Sequence, residues 1–525
     1  MVPIEAHALR RALEAGGEIG LVDVREERPF GDGHILIASN IPLGRLELDL
    51  PSRAPCRKAR LVLCDGGEGL ADRAAIVAAE LGYRDVAVLE GGVATWRQAG
   101  YELFTGINVP GKALGEVVDV VCRTPMMAAA EVKARVDAGE RMVILDSRPW
   151  DEYVDFNIPG GIDCPGAELA YRVRDLAPDP TTTVVVNCAG RTRSIVGCQS
   201  LVNAGLPNPV YSLLNGTIGW EQAGLVLEHG AGRRYPAVSE AALAWSRESS
   251  RRLAERAGVA TLDRAQFETW RTEAQSRTLY LLDVRSPEEY LAGHLPGSIS
   301  APGGQLVQGA DEWIAVRGGR IVAIDDTGVR ARMTASWLKQ LLHPEVAVLD
   351  GGLAGYDLET GPASPTVAMP EVAAVAAADV MARANEFVVL DLSHSLTFRA
   401  SHIAGALWGL RSRLGELTAA LPAGKTVAVT DDRDDLLAAF AVRDLAGLGR
   451  KDAVVLSGGL AAWRAAGGET AQGLDGMLVA MDDCYHLPAD LLEDPAGADR
   501  DYLAWEATLV EHVARDGLLA YRPLT

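Results

Sequence analysis

The residues best suited to chemistry lie together in the stretch Cys188-Ala189-Gly190-Arg191-Thr192-Arg193-Ser194, where a nucleophile is followed by two cations and two hydroxyls. The β-branched run Val184-Val185-Val186-Asn187 precedes it, and the amphipathic run Ile195 to Gly205 follows. A cysteine between a strand end and a helix start faces unpaired backbone N–H groups, and cations nearby favour the thiolate, the form that attacks. Free cysteines are usually buried filler. Gly190 and two arginines so close to the strand end make filler a poor account of Cys188. Gly190 suits a backbone that turns successive amides inward, and Thr192 and Ser194 can donate hydroxyl hydrogen bonds or cap the helix.

Other reactive residues are weaker candidates. The seven cysteines (Cys56, Cys64, Cys122, Cys164, Cys188, Cys198 and Cys484) are odd in number and include no Cys-x-x-Cys pair, so neither a disulfide framework nor a zinc site is expected. Cys198 falls beside Ile195 and Leu201 and reads as core rather than as a resolving thiol. Cys64 reads as a strand-end filler, and Cys164 as a turn residue. Cys484 and His486 give too few ligands to imply a metal. No metal and no cofactor are expected.

The elements that must position the loop repeat four times. Each unit opens with an apolar run ending in an acidic residue (LVDVREERPF, VILDSRPWDEY, LLDVRSPEEY, VVLDLSHSLTF) and closes with a strand, a turn and a helix (VAVLEGGVATW, VYSLLNGTIGW, VAVLDGGLAGY, VVLSGGLAAW). The opening aspartates Asp23, Asp146, Asp283 and Asp391 are 123, 137 and 108 residues apart, which is domain size rather than solenoid size. Buried strands alternating with amphipathic helices predict an α/β fold, a small parallel sheet flanked by helices in each unit. Four separate cores are therefore expected. The organisation read from the chain is repeat 1 at 1–110, repeat 2 at 120–232, a helical linker at 233–257, repeat 3 at 258–365, repeat 4 at 370–470, and a tail at 471–525 whose helix around YLAWEATLVEHVARDG packs back onto the body.

Asp-x-Arg, Glu-Glu-Tyr, Gly-His-(Ile/Leu)-Pro-Gly and Leu-x-Gly-Gly-x-x-x-Trp, in that order, resemble the rhodanese family of sulfurtransferases over about residues 5–470. The resemblance implies four rhodanese-like domains and makes Cys188 the catalytic nucleophile, with Ala189, Gly190, Arg191, Thr192, Arg193 and Ser194 forming the substrate-binding loop. It implies a Cys188 persulfide that passes sulfane sulfur from thiosulfate or a similar anionic donor to a thiol or cyanide. Mercaptopyruvate-type members resemble Cys-Gly-Ser-Gly-Val-Thr at the loop, whereas two arginines here favour an anionic donor. Dual-specificity phosphatases of the same fold place Arg after Cys and five residues. Here that position is Ser194, which disfavours phosphatase activity. A module that only binds a partner or relays sulfur is the other alternative.

The repeats act as internal controls. Counting back from the helix ends places Asp65, Asp325 and Asp432 opposite Cys188, and a carboxylate there cannot carry sulfur, so those three repeats are expected to be inactive. His34, His294 and His402 match one another in the units without the cysteine, while repeat 2 has Asn157. This marks the histidine as a structural turn residue. Asp23–Arg25, Asp146–Arg148 and Asp283–Arg285 persist in reactive and unreactive units alike, as a structural ion pair does.

Composition narrows the partners. Fifty basic against 71 acidic residues give a net charge of −21, so nucleic acid is not expected. No apolar run reaches the roughly 18–20 residues of a membrane span. The first residues lack the pattern of a secretory signal, so a cytoplasmic location is expected. The number of subunits is not set by the sequence.

Overall fold

The computed structural model describes residues 2–363, 366–485 and 495–525. Four sheets share one strand order over five parallel strands each. In the second, the strands Met126–Met127, Val210–Leu213, Thr183–Asn187, Met142–Asp146 and Ile162–Asp163 lie side by side in that order. The central strand Thr183–Asn187 is buried throughout, as its β-branched run requires. The first, third and fourth sheets centre on Arg60–Cys64, Arg320–Ile324 and Thr426–Thr430.

Strand register corrects one of the expected correspondences. Asp23 pairs with Cys64, Asp146 with Asn187, Asp283 with Ile324 and Asp391 with Thr430. The residue after each central strand is therefore Asp65, Cys188, Asp325 and Asp431, not Asp432. The stretch from strand end to Gly449 is one residue longer than the stretch from Asn187 to Gly205, so counting back from the glycine overshoots by one.

The cores are not four separate ones. A single cluster joins Leu61, Leu63 and Ala74 of the first unit to Tyr280, Leu282 and Trp337 of the third, and reaches Ile195 of the second. The strand Val316–Arg317 of the third unit pairs antiparallel with Ile19–Gly20, extending the first sheet. The second and third units meet through Arg330, whose guanidinium binds Glu168 at 2.6 Å, and the fourth meets the first through Arg411 on Glu47 at 2.7 Å. The expected linking helix is Glu240–Ala257, capped by the Ser239 hydroxyl, which accepts from the Ala242 amide. It packs on the helices Leu169–Leu176 and Val329–Gln340 rather than bridging solvent.

Two further helices build the site. One, Val109–Cys122, falls in the stretch left between the first two repeats; the sequence reading missed it. The other is the tail helix Pro495–Asp516, which packs against it. Gly111 and Gly115 let the helix Val109–Cys122 approach the third and second units: a Cβ on Gly111 would lie 1.8 Å from the Gln308 carbonyl oxygen, and one on Gly115 would lie 3.0 Å from Thr192 Cγ2.

The histidines are structural. His34, His294 and His402 stack on Phe30, Tyr290 and Phe398, with Nδ1 against the carbonyl four residues earlier. Asn157 makes the same contact through Nδ2, which donates to the Tyr153 carbonyl at 3.1 Å. The arginines of Asp-x-Arg fold back on their aspartates, Arg148 Nη2 lying 2.8 Å from Asp146 Oδ2 in a fully buried pair.

Candidate active site

Cys188 directly follows the central strand of the second sheet and precedes the helix Thr192–Ala204. The closing signature holds it there. The Cys188 carbonyl accepts from the Thr217 amide at 2.9 Å, and the Ala189 carbonyl accepts from the Ile218 amide at 3.1 Å. Gly216 has φ +56°, and a Cβ on it would stand 2.2 Å from the Cys188 carbonyl oxygen. Gly92 and Gly352 face Asp65 and Asp325 in the same way, at 2.3 and 2.5 Å. The repeated second glycine of the closing signature is thus required by the approach of two backbones.

The units differ in what fills the turn of amides after the strand. Asp65 accepts from the amides of Gly67 and Ala71 at 2.8 and 3.0 Å. Asp325 accepts from Gly328 and Arg330 at 2.7 and 3.0 Å, and Asp431 from Arg433 and Ala438 at 2.9 and 2.7 Å. In the second unit a sulfur takes this place, with its S–H 3.5 Å from Ser194 Oγ. Three units therefore fill an anion cradle with their own carboxylate, and one leaves it to a thiol.

Cys188 is only 2% exposed and lies at a cavity of about 570 Å³ also lined by Ala189, Gly190, Arg191, Thr192 and Arg193. Burial pushes its thiol above the ordinary cysteine range; Arg193 and the hydroxyl and amide of Ser194 pull it back, and Glu506 adds to the rise. The expectation that two nearby cations shift the thiol down is corrected, because burial outweighs the pull of Arg193 and both guanidinium groups are also engaged by carboxylates. Arg191 forks onto Glu116 at 2.8 Å through both Nε and Nη2, and reaches Asp119 at 2.9 Å. Arg193 forks onto Glu152 at 2.7 and 2.8 Å. Gly190 is outside the left-handed region. Its missing side chain instead makes room for the tail helix, since a Cβ would lie 3.3 Å from Tyr502 Cε1 and 3.5 Å from Glu506 Oε2. Thr192 Oγ1 lies 3.4 Å from Glu506 Oε1.

Sequence reasoning missed Lys112, Glu116, Glu152, Tyr502 and Glu506. Glu152 was legible in principle: it stands where Glu289 does in the third unit, and Arg330 there forks onto Glu289 as Arg193 does onto Glu152. The stretch VPGKALGEVVDVVC has helical spacing of apolar residues, but nothing local shows that Lys112 lines the Cys188 cavity or that Glu116 pairs with Arg191. Lys112 is buried, with its ammonium 5.2 Å from the ring centres of Tyr502 and Trp505, and among the described residues it makes no ion pair. Burial lowers its basicity, opposed by Glu506.

Of the remaining cysteines all but the half-buried Cys122 are packed away. Cys198 joins Leu145, Leu169 and Leu201 in the second unit's core, where burial pushes its thiol up to about 12. Cys164 lies in the same core and Cys64 in that of the first unit, both with thiols raised by burial. Cys484 is buried, and His486 lies outside the described residues. Among the described residues no group of three or more His, Cys, Asp or Glu is arranged to hold a metal, and no helix is long and apolar enough to cross a membrane.

Comparison with known proteins fits this architecture. The chain is similar over its full length to a solved structure of a thiosulfate sulfurtransferase from Pseudomonas aeruginosa, with 47% identity, 100% of both chains covered and a TM-score of 0.95. A curated relative, the HTH-type transcriptional regulator Rv0324 of Mycobacterium tuberculosis, is 33% identical over 118 residues, which are 22% of this chain; the chain spans about half (48%) of that relative's length. The model of the rhodanese-like domain matches residues 5–99, 128–223 and 265–359, and the fourth unit repeats their strand order without being matched. With more than half of its length matched and the same sheet built four times, the chain belongs to the rhodanese-like domain family.

Proposed function

We propose that this protein is a rhodanese-type sulfurtransferase in which Cys188 carries sulfane sulfur as a persulfide and the other three units serve as scaffold. The observation that carries this reading is the exchange of cradle occupants, an aspartate in three units and a sulfur in one. Amides that hold a carboxylate in three places suit a thiolate, or the outer sulfur of a persulfide, in the fourth.

In the first half-reaction the Cys188 thiolate attacks the outer sulfur of thiosulfate or a similar anionic donor. The donor's S–S bond breaks, and sulfite leaves with the electron pair when thiosulfate is the donor. With Arg191 and Arg193 committed to carboxylates, the buried ammonium of Lys112 is the cavity-lining cation outside an ion pair among the described residues, and it meets the donor's charge. In the second half-reaction a thiol or cyanide takes the sulfur and releases the Cys188 thiolate. The cavity admits small molecules, and the tail helix over Gly190 keeps bulky acceptors from the sulfur.

Incubation with thiosulfate followed by intact-mass measurement tests the reading. One added sulfur on the native chain, absent from Cys188→Ser, is expected. A native chain that gains no sulfur from any sulfane donor overturns it.

A further inference from the structure

The tail helix brings a carboxylate to the cavity that none of the four repeats supplies. Glu506 is 1% exposed, and its two oxygens differ. Oε1 is fixed by the Tyr502 hydroxyl, which donates at 2.8 Å, and by Thr192 Oγ1 at 3.4 Å. Oε2 is buried without a hydrogen-bond partner among the described residues and lies beside Gly190 of the Cys188 loop. An unsatisfied buried carboxylate oxygen is costly, so its retention beside a reactive loop calls for a task. The neighbouring carboxylates Glu116 and Glu152 are held by Arg191 and Arg193 and are not free to exchange protons.

We propose that Glu506 accepts the proton of a thiol acceptor as that thiol attacks the sulfur carried by Cys188, and hands it to the sulfur being transferred. This rests on the sulfurtransferase reading and assigns the acceptor as a small thiol. The step balances: the acceptor's S–H proton passes to Glu506 and its sulfur bonds to the outer sulfur of the Cys188 persulfide. The persulfide S–S bond breaks, and its electron pair stays on Cys188 as thiolate. The proton then moves from Glu506 to the transferred sulfur, leaving a protonated acceptor persulfide and no net oxidation. Burial holds the Glu506 carboxyl above the usual carboxylate range, closer to where proton exchange with a thiol is efficient. The groups that face it are Lys112 and Glu116 on one helix, Cys188 and Arg191 on the loop, and Tyr502 on its own helix.

The test compares Glu506→Gln with the native full-length chain, using dithiothreitol and cyanide as acceptors and thiosulfate as donor. Cyanide attacks as the anion already ionised in solution, so it brings no proton into the cavity and needs no base there. The ratio of thiol to cyanide turnover is expected to fall about 100-fold or more, the lower end of general acid–base contributions, and the rise of thiol turnover with pH is expected to move alkaline. Glu506→Asp should restore part of the ratio. An unchanged ratio overturns the proposal. Persulfide mass is read first on both chains: a native chain that does not load strikes the parent reading and not this one, and loss of loading in Glu506→Gln alone overturns the proposal. Should Glu506→Gln fail to fold, Tyr502→Phe decides on the same ratio, a fall supporting the role and no change overturning it.

Discussion

The Arg193 guanidinium forks onto the Glu152 carboxylate at 2.7 and 2.8 Å, and it is also the largest charge pulling the buried Cys188 thiol toward ionisation. The pair therefore ties the opening signature of the second unit to its loop while tuning the sulfur. Replacing Arg193 by Met removes that pull, so the thiol rises further and alkylation by iodoacetamide at pH 7 should slow by roughly threefold or more. Glu152→Gln frees the cation and should act in the opposite direction. Rate–pH profiles of alkylation read both.

Arg191 is predicted to matter for stability more than for donor affinity. Its fork onto Glu116 is largely buried, and Arg191→Met leaves that carboxylate without its partner. A cost of about 3–5 kcal/mol is expected in denaturant unfolding. Adding Glu116→Gln should recover much of it, whereas a surface pair would show no such recovery.

Two left-handed glycines, Gly216 at the site and Gly205 at the far end of the helix Thr192–Ala204, should behave differently. Gly216→Ala forces a Cβ to within 2.2 Å of the Cys188 carbonyl oxygen at a left-handed φ of +56°, and is expected to destabilise by about 2–4 kcal/mol and to depress sulfur loading. Gly205→Ala has the left-handed φ of +75° but open space, and should cost about 1 kcal/mol with loading intact. Thermal melts and intact mass separate the two.

Moving the cysteine should not move the activity. Asp325→Cys in a Cys188→Ser background is expected to gain no sulfur from thiosulfate. Arg330, the counterpart of Arg193, is crowded by Glu168, Glu289 and Asp326, so the site opposes an anionic donor. Robust labelling of that double variant would refute the scaffold role assigned to the third unit.

Stability should carry a pH signature at the contact between the first and fourth units. Burial pushes Glu26 from an ordinary 4.5 up to about 7, with the Ser412 hydroxyl donating to it. A folded value above the unfolded one means the contribution is full below about 4.5 and is lost as pH rises through about 7. Glu26→Gln should therefore gain on the native chain between pH 5 and pH 8, by up to ~3 kcal/mol at about 1.4 kcal/mol per unit. Equal melting shifts at both values would contradict the assignment.

Much was decided by the sequence alone. The four-fold repetition, the strand ending at Asn187, the loop that opens at Cys188 and the structural character of the histidines and Asp-x-Arg pairs follow from residue order, because each depends on contacts within one unit; the helix begins at Thr192, three residues before the sequence placed it. Even the fork of Arg193 on Glu152 could have been read by matching it with Arg330 and Glu289. The shift from Asp432 to Asp431 needed only strand register, which counting from a helix end does not fix.

What tertiary structure alone decided is the environment of the sulfur. Lys112 and Glu116 come from a helix between two units, and Tyr502 and Glu506 from a tail more than 300 residues after Cys188. These side chains meet only because apolar faces of separate units bury one another, merging the first and third cores and pressing the tail helix onto the loop. That closure removes water from Cys188, so burial outweighs the nearby cations, and the thiol rises where the loop sequence by itself predicts a fall.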